Sequence, residues 1–149
     1  MILYLDGDLL EDDADVLVNT INCVGAMGAG IALQFKHKFP FNFLRYQQIC
    51  RLGKVRPSDI LIYEEEGQTI YNLATKDQWR ESSRMSWISK GCSNLKKEIQ
   101  SNSIKSIAIP ALGCNNGGAD WPRVKSILEK WLQGLNCEVR IYLPKEGKL

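Results

Sequence analysis

This chain is poor in the residues of metal and disulfide chemistry. It has one histidine, His37, and five scattered cysteines, an odd number with no C-x-x-C spacing. A structural zinc site needs four closely spaced ligands, and a disulfide framework pairs its cysteines. Neither pattern occurs, so free thiols in a reducing cytoplasm are expected, with no metal and no cofactor. Long apolar runs are also missing. None approaches the roughly 20 residues that cross a bilayer, so no membrane partner is expected. The opening residues, Met1-Ile-Leu-Tyr-Leu-Asp-Gly-Asp8, lack the basic stretch that begins a signal peptide. A surplus of one charge is absent too. The net charge of +2 is weak and does not demand nucleic acid as a strongly basic domain would. Neither G-x-G-x-x-G nor G-x-x-x-x-G-K-[ST] occurs, which excludes the common dinucleotide fingerprint and the P-loop. No linker, repeat or low-complexity tract divides the 149 residues, and one domain spanning residues 1–149 is expected.

Two glycine-rich segments stand out. The apolar run Val16-Leu17-Val18 leads through Asn19 and Asn22 into Gly25-Ala-Met-Gly28-Ala-Gly30, three glycines within six residues. An amphipathic stretch follows. A glycine bend between strand and helix lets backbone N–H groups approach an anion, and the helix N-terminus adds its partial positive charge. By itself such a bend is also an ordinary strand–helix turn. The second segment repeats the arrangement. A strand at 104–109 runs through Pro110-Ala-Leu-Gly113-Cys-Asn-Asn-Gly117-Gly118 into a helix that Pro122 suits at its first turn. Two such loops at the ends of neighbouring parallel strands face one crevice, and a diphosphate fits between them.

Elsewhere strands and helices alternate. Strands are predicted at 2–5, 16–19, 60–63, 69–73, 104–109 and 138–143, with the middle pair as a hairpin. Helices are predicted at 30–38, 43–52, 86–100 and 123–135. Ile88, Cys92, Leu95 and Ile99 mark one buried stripe, and Val124, Ile127, Leu128, Trp131, Leu132 and Leu135 another. The pattern predicts an α/β fold, a three-layer α/β/α domain with a mixed central sheet. A third segment, Thr75-Lys76-Asp77-Gln-Trp79-Arg80-Glu-Ser-Ser83-Arg84, follows the hairpin. It reads either as a solvated loop with a helix cap at Ser82 or Ser83, or as a site. Lys76 would then be nucleophile, proton donor or phosphate ligand.

On these segments the chain resembles the macrodomain family, the ADP-ribose-binding fold, over essentially its whole length. Within the family it is most similar to the DarG-type branch of DNA ADP-ribosyl glycohydrolases. The resemblance implies a hydrolase that removes ADP-ribose from thymidine in single-stranded DNA, as the antitoxin to a DarT-like toxin. It implies Asp8 and Leu9 at the adenine. Asn22, Gly25, Met27, Gly28, Gly30 and Ile31 fall in its first ligand loop. Leu112, Gly113, Cys114, Asn115, Asn116 and Gly117 fall in its second. Lys76 falls at the branch's catalytic lysine, and Asn22 holds the distal ribose beside the reaction. Trp79 is placed to stack on a base, with Arg80 and Arg84 on DNA phosphates. Gly117 stands where a related, ester-cleaving branch has an aspartate, and Asp120 reads as a helix cap. An ADP-ribose 1″-phosphate phosphatase and a non-catalytic ADP-ribose reader are the alternatives. A bulky side chain at Gly28 or at Gly117 is expected to block the ligand and leave the fold intact.

Overall fold

The computed structural model describes residues 1–115 and 117–145. Alternation of period two sets the sheet faces. In β2 (Val16–Ile21), Val16 and Val18 point to one side, and Leu17 and Ile21 to the other. All four are buried, as a central strand covered on both faces requires. Its neighbours are β4 (Gln68–Ala74) on one side and β5 (Ser106–Ile109) on the other, both parallel to it. Beyond β5 lie β6 (Glu138–Tyr142) and β1 (Ile2–Leu5), also parallel. Only β3 (Ile60–Glu65) runs the other way, at the edge beside β4. The order of this six-stranded mixed sheet is β1-β6-β5-β2-β4-β3.

Glu66 and Gly67, both at positive φ, join β3 to β4, a two-residue turn whose twist matches the hairpin. Helices α3 (Met85–Ser101) and α4 (Trp121–Leu132) cover one face of the sheet. Ile88, Cys92, Leu95 and Ile99 are all buried there, as are Val124, Leu128 and Leu132. The opposite face takes α1 (Gly30–Lys38) and α2 (Pro40–Arg51), through Phe35, Phe39 and Tyr46. The fold is therefore the expected three-layer α/β/α arrangement.

Several boundaries differ from the sequence pattern for local reasons. Thr20 and Ile21 still pair with Leu73 and Ala74, so β2 ends immediately before Asn22. Pro40 begins α2, since its fixed φ and missing N–H suit a first helical position. The residue capping α3 is Arg84, not Ser82 or Ser83, and Asp120 stands at the N-cap of α4 without a side-chain cap bond. Among the described residues no helix is long and apolar enough to cross a membrane.

Asn19, Asn42, Glu65 and Asn72, all buried, are linked across elements. Asn42 and Asn72 exchange side-chain bonds of 3.1 and 2.8 Å, Asn19 donates to Asn72 at 3.1 Å, and Glu65 accepts the Asn42 backbone N–H at 2.8 Å. Between β6 and the loop before β2, Asp12 accepts from Tyr142 Oη and Arg140 Nη1, both at 2.6 Å, and from the Ala14 N–H. Burial alone would raise the Asp12 carboxyl, but the bonds from Tyr142 and Arg140 outweigh it and hold it below its ordinary value. Asp12→Asn should therefore cost on the order of 1–3 kcal/mol at neutral pH. A carboxyl depressed in the folded state contributes fully above its unfolded value of about 3.9 and loses that contribution as pH falls through the lower folded one. Thermal unfolding of both proteins from pH 7 to pH 2 checks this: the gap should close in acid, and a gap independent of pH would contradict it.

Candidate functional site

Because β5, β2 and β4 are parallel neighbours, their C-terminal ends deliver three loops to one edge of the sheet. The segment after β4 ties the two glycine loops together. On one side, Cys23 N–H donates to the Asp77 carbonyl at 2.8 Å and Thr75 N–H to Ile21 at 3.1 Å. On the other, Ser83 N–H donates to the Gly117 carbonyl at 3.0 Å. The second loop is closed internally by Ala119 N–H on the Gly113 carbonyl, 2.9 Å.

Between the loops opens a cavity of about 380 Å³. The end of β2 and the first loop give it Thr20, Ile21, Asn22, Ala26, Gly28 and Ala29, and α1 gives Ile31 and Ala32. Thr75, Lys76, Trp79 and Ser83 come from the segment after β4. Pro110, Ala111, Gly113, Cys114, Asn115 and Gly117 come from the loop after β5. Gly30 begins α1 at φ 57°, and the Ala29 cap position makes no side-chain bond to the helix. The first N–H groups of α1 are thus uncapped by a side chain where Ala29, Ile31 and Ala32 line the cavity, the arrangement that favours an anion.

The segment after β4 brings a lysine and a tryptophan to this cavity. Lys76 Nζ donates to the Trp79 carbonyl at 3.3 Å, and burial holds its amine below the ordinary lysine value. Trp79 stands at the rim, 56% exposed, with the Arg80 guanidinium stacked 4.7 Å from its ring. Arg84 stacks instead on Trp87, 4.8 Å away. The thiols of the two loops are protonated fillers: burial, reinforced by Asp77, pushes Cys23 up to about 12, and burial with Asp120 pushes Cys114 up to about 11. Among the described residues no group of three or more His, Cys, Asp or Glu could hold a metal.

Of the residues expected at the site, Asn22, Gly28, Ile31, Lys76, Trp79, Gly113, Cys114, Asn115 and Gly117 line this one cavity. Others stand behind it or beside it. Leu9, Met27 and Leu112 are buried in the core. Gly25 turns its α-carbon to Gln47 and Cys50 of α2. Asp8 is exposed on the loop after β1, where its carboxylate accepts the Leu10 N–H at 3.0 Å. Arg80 and Arg84 are exposed outside the lining. Asn116 lies outside the described residues. Sequence reasoning held Thr75 and Ser83 only within a segment read as either loop or site, and did not single out Pro110 and Ala111; the signal of Thr75, Pro110 and Ala111 was position, directly after β4 and β5. The Ser83 hydroxyl is buried without a hydrogen-bond partner among the described residues, wedged against the α-carbons of Gly113 and Gly117.

A parallel-centred sheet with two glycine loops over one crevice defines a class. The chain belongs to the macrodomain family: the Macro domain model matches residues 18–128. Within it, the chain is similar to the macrodomain of Thermus aquaticus DarG, at 41% identity and a TM-score of 0.91, covering 97% of this chain and 99% of that one. The macrodomain of Mycobacterium tuberculosis DarG gives 40% identity and a TM-score of 0.94 over the same shares. Thermosipho africanus DarTG in complex with ADP-ribose gives 28% and 0.92, over 99% of this chain and 43% of that one. The curated Thermus protein is named DNA ADP-ribosyl glycohydrolase, and the chain spans 42% of its length.

Proposed function

We propose that this domain binds ADP-ribose and hydrolyses the bond that joins it to thymidine in single-stranded DNA. The observation that carries the reading is the meeting of three features at one cavity. They are an anion-favouring helix end, a partly buried lysine and an exposed tryptophan at the rim. The diphosphate belongs at the start of α1, between the glycine loops. The distal ribose then lies toward Asn22 and Lys76, and the DNA leaves past Trp79, whose ring offers a stacking face to a base. The likeness to DarG macrodomains, and to a Thermosipho protein that joins a DNA ADP-ribosyl transferase to the glycohydrolase in one chain, supports DNA as substrate and a DarT-like transferase as its source.

In the reaction the pair of electrons of the bond from the anomeric carbon to the thymine nitrogen stays with the base, which takes a proton. Water supplies the new oxygen on the sugar. The loops hold the ribose for attack, supplying proximity. Lys76 acts at the reacting bond in one of two ways. As an ammonium it donates to the departing base; as a neutral amine it attacks the anomeric carbon to form a transient covalent adduct, which water then hydrolyses to release ADP-ribose and free the amine.

Two measurements test the proposal. ADP-ribose at about 100 times its Kd should stabilise the protein by roughly 2.7 kcal/mol through mass action. The absence of any thermal shift would remove ADP-ribose as the ligand. Incubation with thymidine-ADP-ribosylated oligonucleotide, ADP-ribosylated protein and ADP-ribose 1″-phosphate should release ADP-ribose from the DNA. Phosphate release alone would make the protein a phosphatase, and binding without any turnover a reader.

A further inference from the structure

The first glycine loop is held from beneath by a side chain that does not line the cavity. Tyr46, on α2, is 1% exposed. Its Oη lies 2.6 Å from Asn22 Oδ1 and 2.9 Å from the Asn22 carbonyl. A phenol has one proton to give, and the shorter contact takes it. Asn22 Oδ1 also accepts from the N–H groups of Val24 at 3.1 Å and Ala26 at 3.3 Å, while Asn22 Nδ2 donates to the Ala26 carbonyl at 2.8 Å. All these contacts agree on one orientation of the carboxamide. Turned over, it would set an NH₂ group against two N–H donors. In the orientation present, one Nδ2–H is uncommitted by these bonds, on a residue that lines the cavity. Burial, with Cys50 beside it, pushes the Tyr46 phenol far above its ordinary value, so the hydroxyl remains a neutral donor across the working range of pH.

We propose that Tyr46 is a positioning residue: its hydroxyl fixes the Asn22 carboxamide and the loop 22–26, so that the remaining Nδ2–H of Asn22 meets the ribose of a bound ligand. The proposal rests on the reading of the cavity as an ADP-ribose site. A hydroxyl that merely filled the core would change stability and nothing else, whereas a positioning hydroxyl acts on the ligand through Asn22.

A double-mutant cycle separates the two. Tyr46→Phe, Asn22→Ala and the double variant are compared by calorimetric titration with ADP-ribose, and by kcat and KM for release from modified oligonucleotide. Tyr46→Phe should weaken ADP-ribose binding about five- to tenfold, the scale of one hydrogen bond. Added to Asn22→Ala it should cost no further affinity. Tyr71→Phe, which alters another deeply buried phenol on the opposite face of the sheet, should leave affinity unchanged. Wild-type affinity in Tyr46→Phe, or losses that multiply in the double variant, would overturn the proposal. A measurement on the unmutated chain covers the case of a variant that does not fold: the Asn22 carboxamide proton signals should move on titration with ADP-ribose, and signals that stay still overturn it. A chain that binds ADP-ribose and cleaves nothing removes the hydrolase reading, while the binding cycle still decides the role of Tyr46.

Discussion

Valine at position 28 should abolish ADP-ribose binding and leave the unfolding temperature of the free protein within about 2 °C of the unmutated chain. A β-carbon built on Gly28 meets nothing within 4 Å, and Gly28 is absent from the glycines at positive φ. The new side chain therefore enters open space without strain, at a residue that lines the cavity. Gly117→Val is a different experiment. A β-carbon there would lie 2.4 Å from the Gly113 carbonyl oxygen and 2.6 Å from Ser83 Oγ. Part of that obstruction is backbone, so the loop must move, at roughly 1–3 kcal/mol for an overpacked site. Both variants should lose the ligand, but only Gly117→Val should lose stability as well. Calorimetric titration and thermal unfolding of each read the two effects. Normal ADP-ribose binding by a folded Gly28→Val protein would mean that the first loop is only a turn.

The contrast between those glycines marks what the sequence can and cannot convey. Strand, glycine loop and helix follow one another in the chain, so the two loops and their elements are legible. The stripes of α3 and α4 are legible for the same reason, since helical spacing places Ile88, Cys92, Leu95 and Ile99 on one face. What stands opposite a glycine is not local. The sequence treats Gly28 and Gly117 alike, although one faces space and the other a serine from a distant segment. Apolar neighbours of glycine are ambiguous in the same way. Ile31 lines the cavity, whereas Met27 and Leu112 are buried beneath it, and only the path of the backbone distinguishes them. The aromatic partner of Arg84 follows from helical geometry: Trp87, three residues on, is its neighbour along α3. Asn22 shows a further limit. Its polarity in a glycine loop signals a ligand, but most of its hydrogen-bonding capacity is spent on its own loop and on Tyr46.

Lys76→Ala should lower release of ADP-ribose from modified DNA by about 10²-fold or more, the scale of lost acid–base assistance. Binding of free ADP-ribose should change little, because the lysine acts at a bond that the free ligand lacks. Equal losses in rate and affinity would make Lys76 a phosphate ligand, and no change in either would remove it from the site. The dependence on pH then separates its two chemical roles. Burial holds the amine below the ordinary lysine value, so its titration falls nearer neutrality than that of a solvated lysine. If neutral Lys76 attacks the sugar, kcat rises with pH through that titration. If the ammonium donates to the departing base, kcat falls through it. Lys76→Arg gives an independent reading, since a guanidinium donates but stays charged. Partial activity in Lys76→Arg, together with a falling limb in the wild type, identifies the donor. Full loss of turnover, with ADP-ribose affinity retained and a rising limb, identifies the nucleophile.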